Sequence, residues 1–226
     1  MTGSLADQTW PEVAAAGARL LAVPLGSVEQ HGPHLPLDTD GRIATALVAG
    51  LAAARADVVA APLLPYGASG EHAGFPGTLS LGTEALTTVL VELVRSADHF
   101  AGVVLVNGHG GNLAALRAVA AAATGEGRRV LAWSPSVPEG DAHAGRTETS
   151  LLLHLDRGCV HLDRAEAGAT APLGELLGEL RRGGVAAVST NGVLGDPTGA
   201  SAAEGAALLR DLVADLVDAT DRAFPR

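Results

Sequence analysis

Lysine is missing from this sequence, and cysteine and aromatic residues are scarce. All 15 basic residues are arginine, which excludes Schiff-base and P-loop lysine chemistry. The single cysteine, Cys159, excludes an intrachain disulfide and a cysteine-rich zinc site, and we expect it to be a small buried hydrophobic residue. Phe, Trp and Tyr make up 3% of the chain, which is too few for a surface that stacks successive bases.

Basic charge is also in short supply. The formal net charge is −10, whereas nucleic-acid-binding surfaces are recognised by an excess of Arg and Lys, so we expect no nucleic-acid partner. The first residues lack the basic start and apolar core of a secretory signal, and the longest apolar run, 43–54, is too short to cross a membrane. We therefore predict a cytoplasmic protein with no membrane partner.

Small apolar residues are abundant, because 47% of the 226 residues are hydrophobic. This length and composition favour a single globular domain over residues 1–226. Short apolar runs alternate with helical patterns, which predicts an α/β fold with a mostly parallel sheet covered by helices on both faces. A capping box of Ser201 and Glu204 is expected at the start of the last helix. The predicted strands are 20–25, 58–62, 103–106 and 130–133, and the predicted helices are about 41–54, 83–95, 113–123, 148–155 and 202–219.

Four loops rich in Gly, Pro, His and acidic residues lie between these elements. In an open parallel sheet, the loops that leave the carboxyl ends of the strands converge on one crevice. If the first strand continues through Glu29 and His31, their side chains point to the same side of the chain. Asp40 follows after a turn and could bridge two neighbouring ions, or it could cap a helix that begins at Gly41. The four loops are 26–40, 66–80, 107–112 and 140–150.

The later loops add further candidate ligands. His109 lies among glycines after an apolar strand, and the alternative is a tight turn in which it hydrogen-bonds a neighbour. The glycine spacing matches neither a dinucleotide-binding loop nor a P-loop. His143 and Glu148 share the fourth loop, where Glu148 taken alone is typical of the first turn of a helix. Together, three histidines and three carboxylates on strand-end loops of an acidic chain predict a two-metal hydrolytic site.

At this point the motifs resemble the signature of the creatininase family of metal-dependent amidohydrolases. The matching segments run from about residue 24 to residue 204, which is nearly the whole chain. They are Gly-Ser-Val-Glu-Gln-His-Gly-Pro-His-Leu-Pro-Leu at 26–37 with Asp40, Glu-His at 71–72 with Phe-Pro-Gly-Thr at 75–78, Asn-Gly-His-Gly-Gly-Asn at 107–112, His-Ala-Gly at 143–145 with Glu-Thr-Ser at 148–150, and Gly-Val-Leu-Gly-Asp-Pro at 192–197.

The resemblance implies a three-layer α/β/α sandwich, a homo-oligomer and a site for two divalent ions such as Zn²⁺, Fe²⁺ or Mn²⁺. It implies that Glu29, Asp40 and His109 hold one ion. His31 would hold the other ion, with Asp40 bridging the two.

One departure from the family concerns the carboxylates of this site. Creatinine-cleaving members carry a Glu two residues after the histidine of the third motif, where this chain has Gly111, and Glu148 is the expected substitute. By the same resemblance, His143 is the proton shuttle. His34 and His72 are expected to line the site or to orient its ligands.

Three other histidines have no acidic partner at ligand spacing. His99, His154 and His161 are therefore expected to be structural. Trp133 could line the pocket or belong to the core at the end of a strand.

Two neighbouring ions would stabilise a hydroxide at neutral pH and polarise an amide carbonyl, and His143 could protonate the leaving nitrogen. Within the family, the length, the pair Gly110-Gly111 and the segment 37–40 look most like the branch that releases a modified C-terminal Val-Tyr dipeptide from the mycofactocin precursor peptide. Alternatives are a hydrolase of creatinine or of a purine- or flavin-precursor formamide, and a metal-binding scaffold without turnover. A peptide carboxylate calls for an arginine in the crevice, for which Arg146 is a candidate, with a structural ion pair as its other role.

Overall fold

Four short apolar segments form a parallel sheet at the centre of the computed structural model, which describes residues 4–226. The spatial order of the strands is β2-β1-β3-β4, and every neighbouring pair is parallel. All residues of β1 and β3 are buried, as expected of continuous apolar runs in a sheet that is covered on both faces. The strands are β1 (Leu20–Leu25), β2 (Val58–Ala60), β3 (Gly102–Asn107) and β4 (Val130–Trp133).

Helices fill the connections between the strands and extend to the end of the chain. Short 3-10 turns occur between several of them, notably at Gly70–His72 and Gly110–Asn112. None of the helices in the described part of the chain is both long and apolar enough to span a bilayer. The helices are α1 (Trp10–Ala15), α2 (Thr39–Ala54), α3 (Thr83–Ser96), α4 (Leu113–Gly125), α5 (Arg146–Asp156), α6 (Leu173–Gly183) and α7 (Ala202–Ala223).

Alternate residues of the strands face two separate cores, because successive side chains of a strand point to opposite faces. Leu20 and Val104 belong to the core that α2, α5 and α7 cover. Leu21 and Leu105 belong to the core under α3 and α4. The prediction of a parallel sheet between two helical layers is therefore confirmed.

The predicted strands and helices differ from the observed ones by a few residues at their ends, and two surface helices were not predicted. The second strand ends at Ala60 rather than at residue 62, and the predicted helices extend by one to four residues at one or both ends. Helices α1 and α6 were not predicted. No residue of α6 is buried, although its leucines at 173, 176, 177 and 180 recur at helical spacing, so this pattern was present in the sequence but was not recognised.

Two local predictions need correction. Ser201 accepts a hydrogen bond from the Glu204 amide, but the Glu204 carboxylate does not return to the cap and instead contacts Arg146 and Ser150. The expected capping box is therefore only half formed. Cys159 is partly exposed rather than buried, with its thiol 3.0 Å from the carbonyl oxygen of Asp156.

Two glycines let the loops after β1 and β3 approach the start of α2. A Cβ atom on Gly26 would lie 2.7 Å from Cα of Gly41, and a Cβ atom on Gly108 would clash with the carbonyl group of Asp40. Only glycine leaves room for such contacts between backbones. The carboxyl ends of β1 and β3 and the first turn of α2 therefore converge on one buried region.

Candidate metal centre

The loop after β1 brings two of the predicted ligands into the interior. The strand ends at Leu25, as predicted, so Glu29 and His31 lie on the loop and not on a continuation of the strand. The loop instead folds back on itself, since the Glu29 amide donates a hydrogen bond to the carbonyl oxygen of Leu37. The Glu29 and His31 side chains are both fully buried.

Asp40 lies in the first turn of α2 and is 2% exposed. The N-cap position is Asp38, so the alternative in which Asp40 caps the helix is wrong. Oδ1 of Asp40 is 3.0 Å from Nε2 of His31, and Oδ2 is 3.3 Å from Nδ1 of His109. Burial opposes ionisation, but these two imidazoles hold the pKa of Asp40 well below its usual range. One carboxylate thus joins ligands from two loops.

His109 lies in the third loop, shortly after β3, and its side chain is buried. Its Nε2 is 3.2 Å from Oε2 of Glu29 and 3.2 Å from the carbonyl oxygen of Ala68. Glu71 also approaches this nitrogen, with Oε1 at 3.4 Å. Burial disfavours the imidazolium, yet the carboxylates of Asp40, Glu29 and Glu71 outweigh it and raise the pKa of His109.

His143 is packed between two other imidazoles. Its ring centroid is 4.3 Å from that of His31 and 4.5 Å from that of His72. Burial, followed by the charges of His31 and His72, lowers the pKa of His143 well below its usual value. Nε2 of His143 lies 2.8 Å from the carbonyl oxygen of Gln30 and 3.0 Å from the side-chain amide nitrogen of the same residue. In the tautomer that donates to the carbonyl, Nδ1 is the basic nitrogen. This Nδ1 is 3.8 Å from Oε1 of Glu29.

Glu148 lies in the first turn of α5, the helix position expected of it. Its Oε2 accepts a hydrogen bond from the Ala144 amide at 2.6 Å and is 3.9 Å from Nε2 of His31. Ala144 adopts the left-handed conformation, with φ of 52°, which is unusual for a residue other than glycine and marks a constrained loop. Burial and the nearby carboxylates of Asp40 and Glu29 raise the pKa of Glu148 to about 7, against the effect of His31.

These side chains fit a divalent cation. Within residues 4–226, neither oxygen of Glu29 nor Oδ2 of Asp40 has a hydrogen-bond partner, and buried carboxylates are costly unless a positive charge compensates them. Two ligands at ~2.1 Å from one ion are about 3.0 to 3.4 Å apart, which the Asp40 and His109 contacts match. Three groups have ligand atoms within 4.8 Å of one another: Glu29, His31 and His143; Glu29, Asp40 and His109; and His31, Asp40 and Glu148.

A cavity of about 220 Å³ opens beside this cluster, where β3 and β4 end. His109 and Glu148 form part of its wall. The remaining wall combines apolar side chains with polar groups from Asn107, Ser134, Asp141 and Thr147. The apolar side chains are Ile43, Leu113, Val137, Leu151 and Leu212.

Arg146 does not lie on this cavity. Its guanidinium is about half exposed and binds Glu204, with Nε 2.9 Å from both carboxylate oxygens. The structure thus favours the ion-pair role over the recognition of a substrate carboxylate. Trp133 belongs to the core, where its Nε1 donates to Asp215 at 2.8 Å.

Of four further histidines, three are on the surface and one is buried. His99, His154 and His161 are exposed on the surface. His34 is buried behind the site, with Nε2 2.9 Å from the Thr149 hydroxyl, so it contacts α5 next to Glu148.

Sequence reasoning assigned no role to two residues that touch the site. The Gln30 side-chain amide lies 2.9 Å from Nδ1 of His72 and 3.0 Å from the carbonyl oxygen of Gly192. Glu71 contacts His109. Both residues lie inside the quoted motifs, but their partners come from distant parts of the chain, which spacing alone does not reveal.

Comparison with known proteins then settles the family. The creatininase model, described as creatinine amidohydrolase, matches residues 6–220. The chain belongs to the creatininase family. It is 53% identical over 213 residues, 91% of this chain and 86% of the relative, to a protein of Mycolicibacterium smegmatis named mycofactocin precursor peptide peptidase. The predicted hydrolase of carbon–nitrogen bonds is confirmed.

More distant members of the creatininase family agree with this fold. A creatinine amidohydrolase of Pseudomonas putida is 35% identical over 192 residues, which cover 70% of this chain and 74% of that protein. A solved structure described as creatininase Mn superimposes with a TM-score of 0.83 at 27% identity, and 100% of each chain is covered. The predicted α/β/α sandwich is the fold of this structural relative.

Proposed function

We propose that this member of the creatininase family is a metal-dependent peptidase that releases the modified C-terminal Val-Tyr dipeptide from the mycofactocin precursor peptide. The observation that carries the proposal is the 53% identity, over 91% of the chain, to a relative named mycofactocin precursor peptide peptidase. The cavity beside the candidate metal centre supports it, because apolar walls with a few polar groups suit an uncharged peptide side chain.

Two divalent ions per subunit complete the proposed site. Glu29, Asp40 and His109 would hold one ion, and His31 and Asp40 would help to hold the other. Glu148 replaces the carboxylate that Gly111 lacks, as its contact with His31 supports. Oxygen and imidazole ligands suit Zn²⁺, Fe²⁺ and Mn²⁺. When bound, such ions generate a nucleophile from water at neutral pH and polarise the scissile carbonyl.

The protein side chains supply the proton transfer. Burial keeps His143 neutral, and its Nε2 donates to the backbone of Gln30, so Nδ1 is free to take up a proton. His143 then donates this proton to the departing amine, which is a poor leaving group without it. The stack of His31, His143 and His72 holds the ring in place for this transfer.

The organisation of the protein is part of the same proposal. We assign residues 1–226 to one hydrolase domain, which is supported within residues 4–226 by two cores that pack on one sheet. We also place the protein in the cytoplasm. The chain assembles as a homo-oligomer, in keeping with its exposed Tyr66 and Leu79.

The test is mass spectrometry of the products formed by Zn²⁺- or Fe²⁺-loaded protein under anaerobic conditions. The substrates are the precursor peptide with the modified Val-Tyr end, creatinine and a purine-type formamide. We expect release of the dipeptide alone, and a chelator should abolish it. Cleavage of a small amide instead would contradict the peptide substrate, and metal-loaded protein without any turnover would favour the scaffold alternative.

A further inference from the structure

Glu71 and Gly111 come from different loops but share one small volume next to His109. A Cβ atom on residue 111 would clash with Oε1 of Glu71, with Nε2 of His109 and with the carbonyl oxygen of Ala68. The space that a side chain at position 111 would need is therefore already filled. A carboxylate from Glu71 is one of the groups that fill it.

The two nitrogens of His109 face different surroundings. Nδ1 is 3.3 Å from Oδ2 of Asp40, which belongs to the proposed ligand set. Nε2 donates to the carbonyl oxygen of Ala68 at 3.2 Å, and Oε1 of Glu71 lies 3.4 Å from the same nitrogen. Oε2 of Glu29 is also near Nε2, at 3.2 Å, but makes no hydrogen bond within the described residues. In the tautomer that donates from Nε2, Nδ1 is the nitrogen that can bind a metal.

Glu71 is held in place on both sides. It lies in the 3-10 turn Gly70–His72, and Nε2 of His72 is 3.1 Å from Oε1 of Glu29. On the outside, Gly184 packs directly on the Glu71 backbone, where a Cβ atom would approach its carbonyl oxygen to 2.5 Å. These contacts fix the backbone of Glu71 beside His109.

We propose that Glu71 is a positioning residue that orients His109 for metal binding. The inference rests on the proposed metal-dependent function. A histidine that binds a metal through one nitrogen commonly presents the other N–H to a carboxylate or carbonyl, which fixes the ring and makes it a stronger ligand. Here the Ala68 carbonyl oxygen accepts the hydrogen bond from Nε2, and the Glu71 carboxylate lies 3.4 Å from the same nitrogen, where its charge attracts the ring.

The test is a titration of metal-free protein with Co²⁺, followed by the visible absorption of the bound ion and by competition with a chelator. In Glu71→Ala we expect two Co²⁺ per subunit at saturation, an altered spectrum and about 10–100-fold weaker binding at one site. Glu71→Gln keeps an acceptor oxygen and should lose less affinity for Co²⁺ than Glu71→Ala. Glu84→Ala, which removes an exposed carboxylate of α3, is the matched control.

Each outcome decides between the possibilities. Unchanged Co²⁺ affinity and spectrum in Glu71→Ala would overturn the inference. Loss of one equivalent at saturating Co²⁺ would also overturn it, because Glu71 would then be a ligand itself. Wild-type protein that binds no Co²⁺ would contradict both the inference and the proposed function, whereas wild-type protein that binds two ions and cleaves no peptide would contradict the proposed substrate alone.

Discussion

Nε2 of His31 lies 3.0 Å from Oδ1 of Asp40, although one residue belongs to a loop and the other to the first turn of α2. Burial disfavours charge on His31, but Asp40, Glu148 and Glu29 outweigh it and raise its pKa to about 10. The other oxygen of Asp40 faces His109. A cation bound between these groups would therefore meet a carboxylate that is already shared between two imidazoles.

Replacing His109 with Ala should remove one ion and nearly all hydrolysis while the protein stays folded. The side chain contacts Asp40 and Glu29, so its loss leaves one group of ligands incomplete. Metal analysis, circular dichroism and the peptide assay measure the three effects. His154→Ala, at an exposed histidine of α5, serves as the control. An active His109 variant with full metal content would show that the ligand assignment is wrong.

Replacing His143 with Ala should leave both ions bound but lower turnover by about 10²–10⁴-fold, the usual contribution of a general acid or base. The His143 ring packs at a tilt against the His31 ring, and its Nδ1 lies 3.8 Å from Oε1 of Glu29. Metal content and single-turnover kinetics distinguish the two effects. If the variant loses an ion, His143 acts as a ligand together with Glu29 and His31, a grouping that the geometry also permits.

Arg146→Ala should change the KM for the peptide by less than twofold, because Arg146 pairs with Glu204 away from the cavity wall. An exposed ion pair of this kind contributes about 0–1 kcal/mol to the free energy of unfolding. Steady-state kinetics and urea unfolding of the variant test both values. A large rise in KM would restore Arg146 as a group that recognises the substrate carboxylate.

Arg55→Met should destabilise the protein by about 1–3 kcal/mol through lost hydrogen bonds. The guanidinium is 1% exposed and contacts Asp57, Asp221 and the carbonyl oxygen of Phe224, which ties α2 to the end of the chain. Its N–H groups satisfy these acceptors at the carboxyl end of α2. Urea unfolding at pH 7 measures the effect, and Arg157→Met, at an exposed arginine, is the control.

The contact between Arg55 and Asp57 predicts a pH dependence of stability. The hydrogen bond that Arg55 donates lowers the pKa of Asp57 below the unfolded value of about 3.9. The stabilisation from Asp57 is therefore present above about pH 4 and is lost as the pH falls through the lowered pKa. The difference in unfolding free energy between wild type and Arg55→Met should shrink below about pH 4. A difference that stays constant down to pH 2 would contradict this account.

Leu105→Ala should cost about 2–5 kcal/mol of unfolding free energy, because it opens a cavity in a fully buried position of the central sheet. Leu105 lies on β3 and packs in the core under α3 and α4, to which none of the proposed metal ligands belongs. Chemical unfolding gives the change, and metal content should stay the same. Leu162→Ala, at an exposed position, is expected to change stability by less than about 0.5 kcal/mol.

Elements with a buried face were predictable, and elements without one were not. The strands β1 and β4 have the predicted ends, since long apolar runs leave few alternatives. Helix α6 was missed although its four leucines recur at helical spacing, and in the structure they lie exposed or half-buried on the surface. The half-formed capping box has a similar origin: Glu204 binds Arg146 and Ser150, and the sequence does not show that these partners are near.

By itself, the sequence determined the parallel sheet, the family and the set of histidines and carboxylates on the strand-end loops, because local patterns and motifs carry that information. Only the tertiary structure decided how these groups meet. It placed both oxygens of Asp40 between two imidazoles, paired Arg146 with Glu204, and brought Glu71 into the space beside Gly111. The physical reason is that distances between side chains from distant segments depend on how strands and helices pack, and no spacing along the chain encodes them directly.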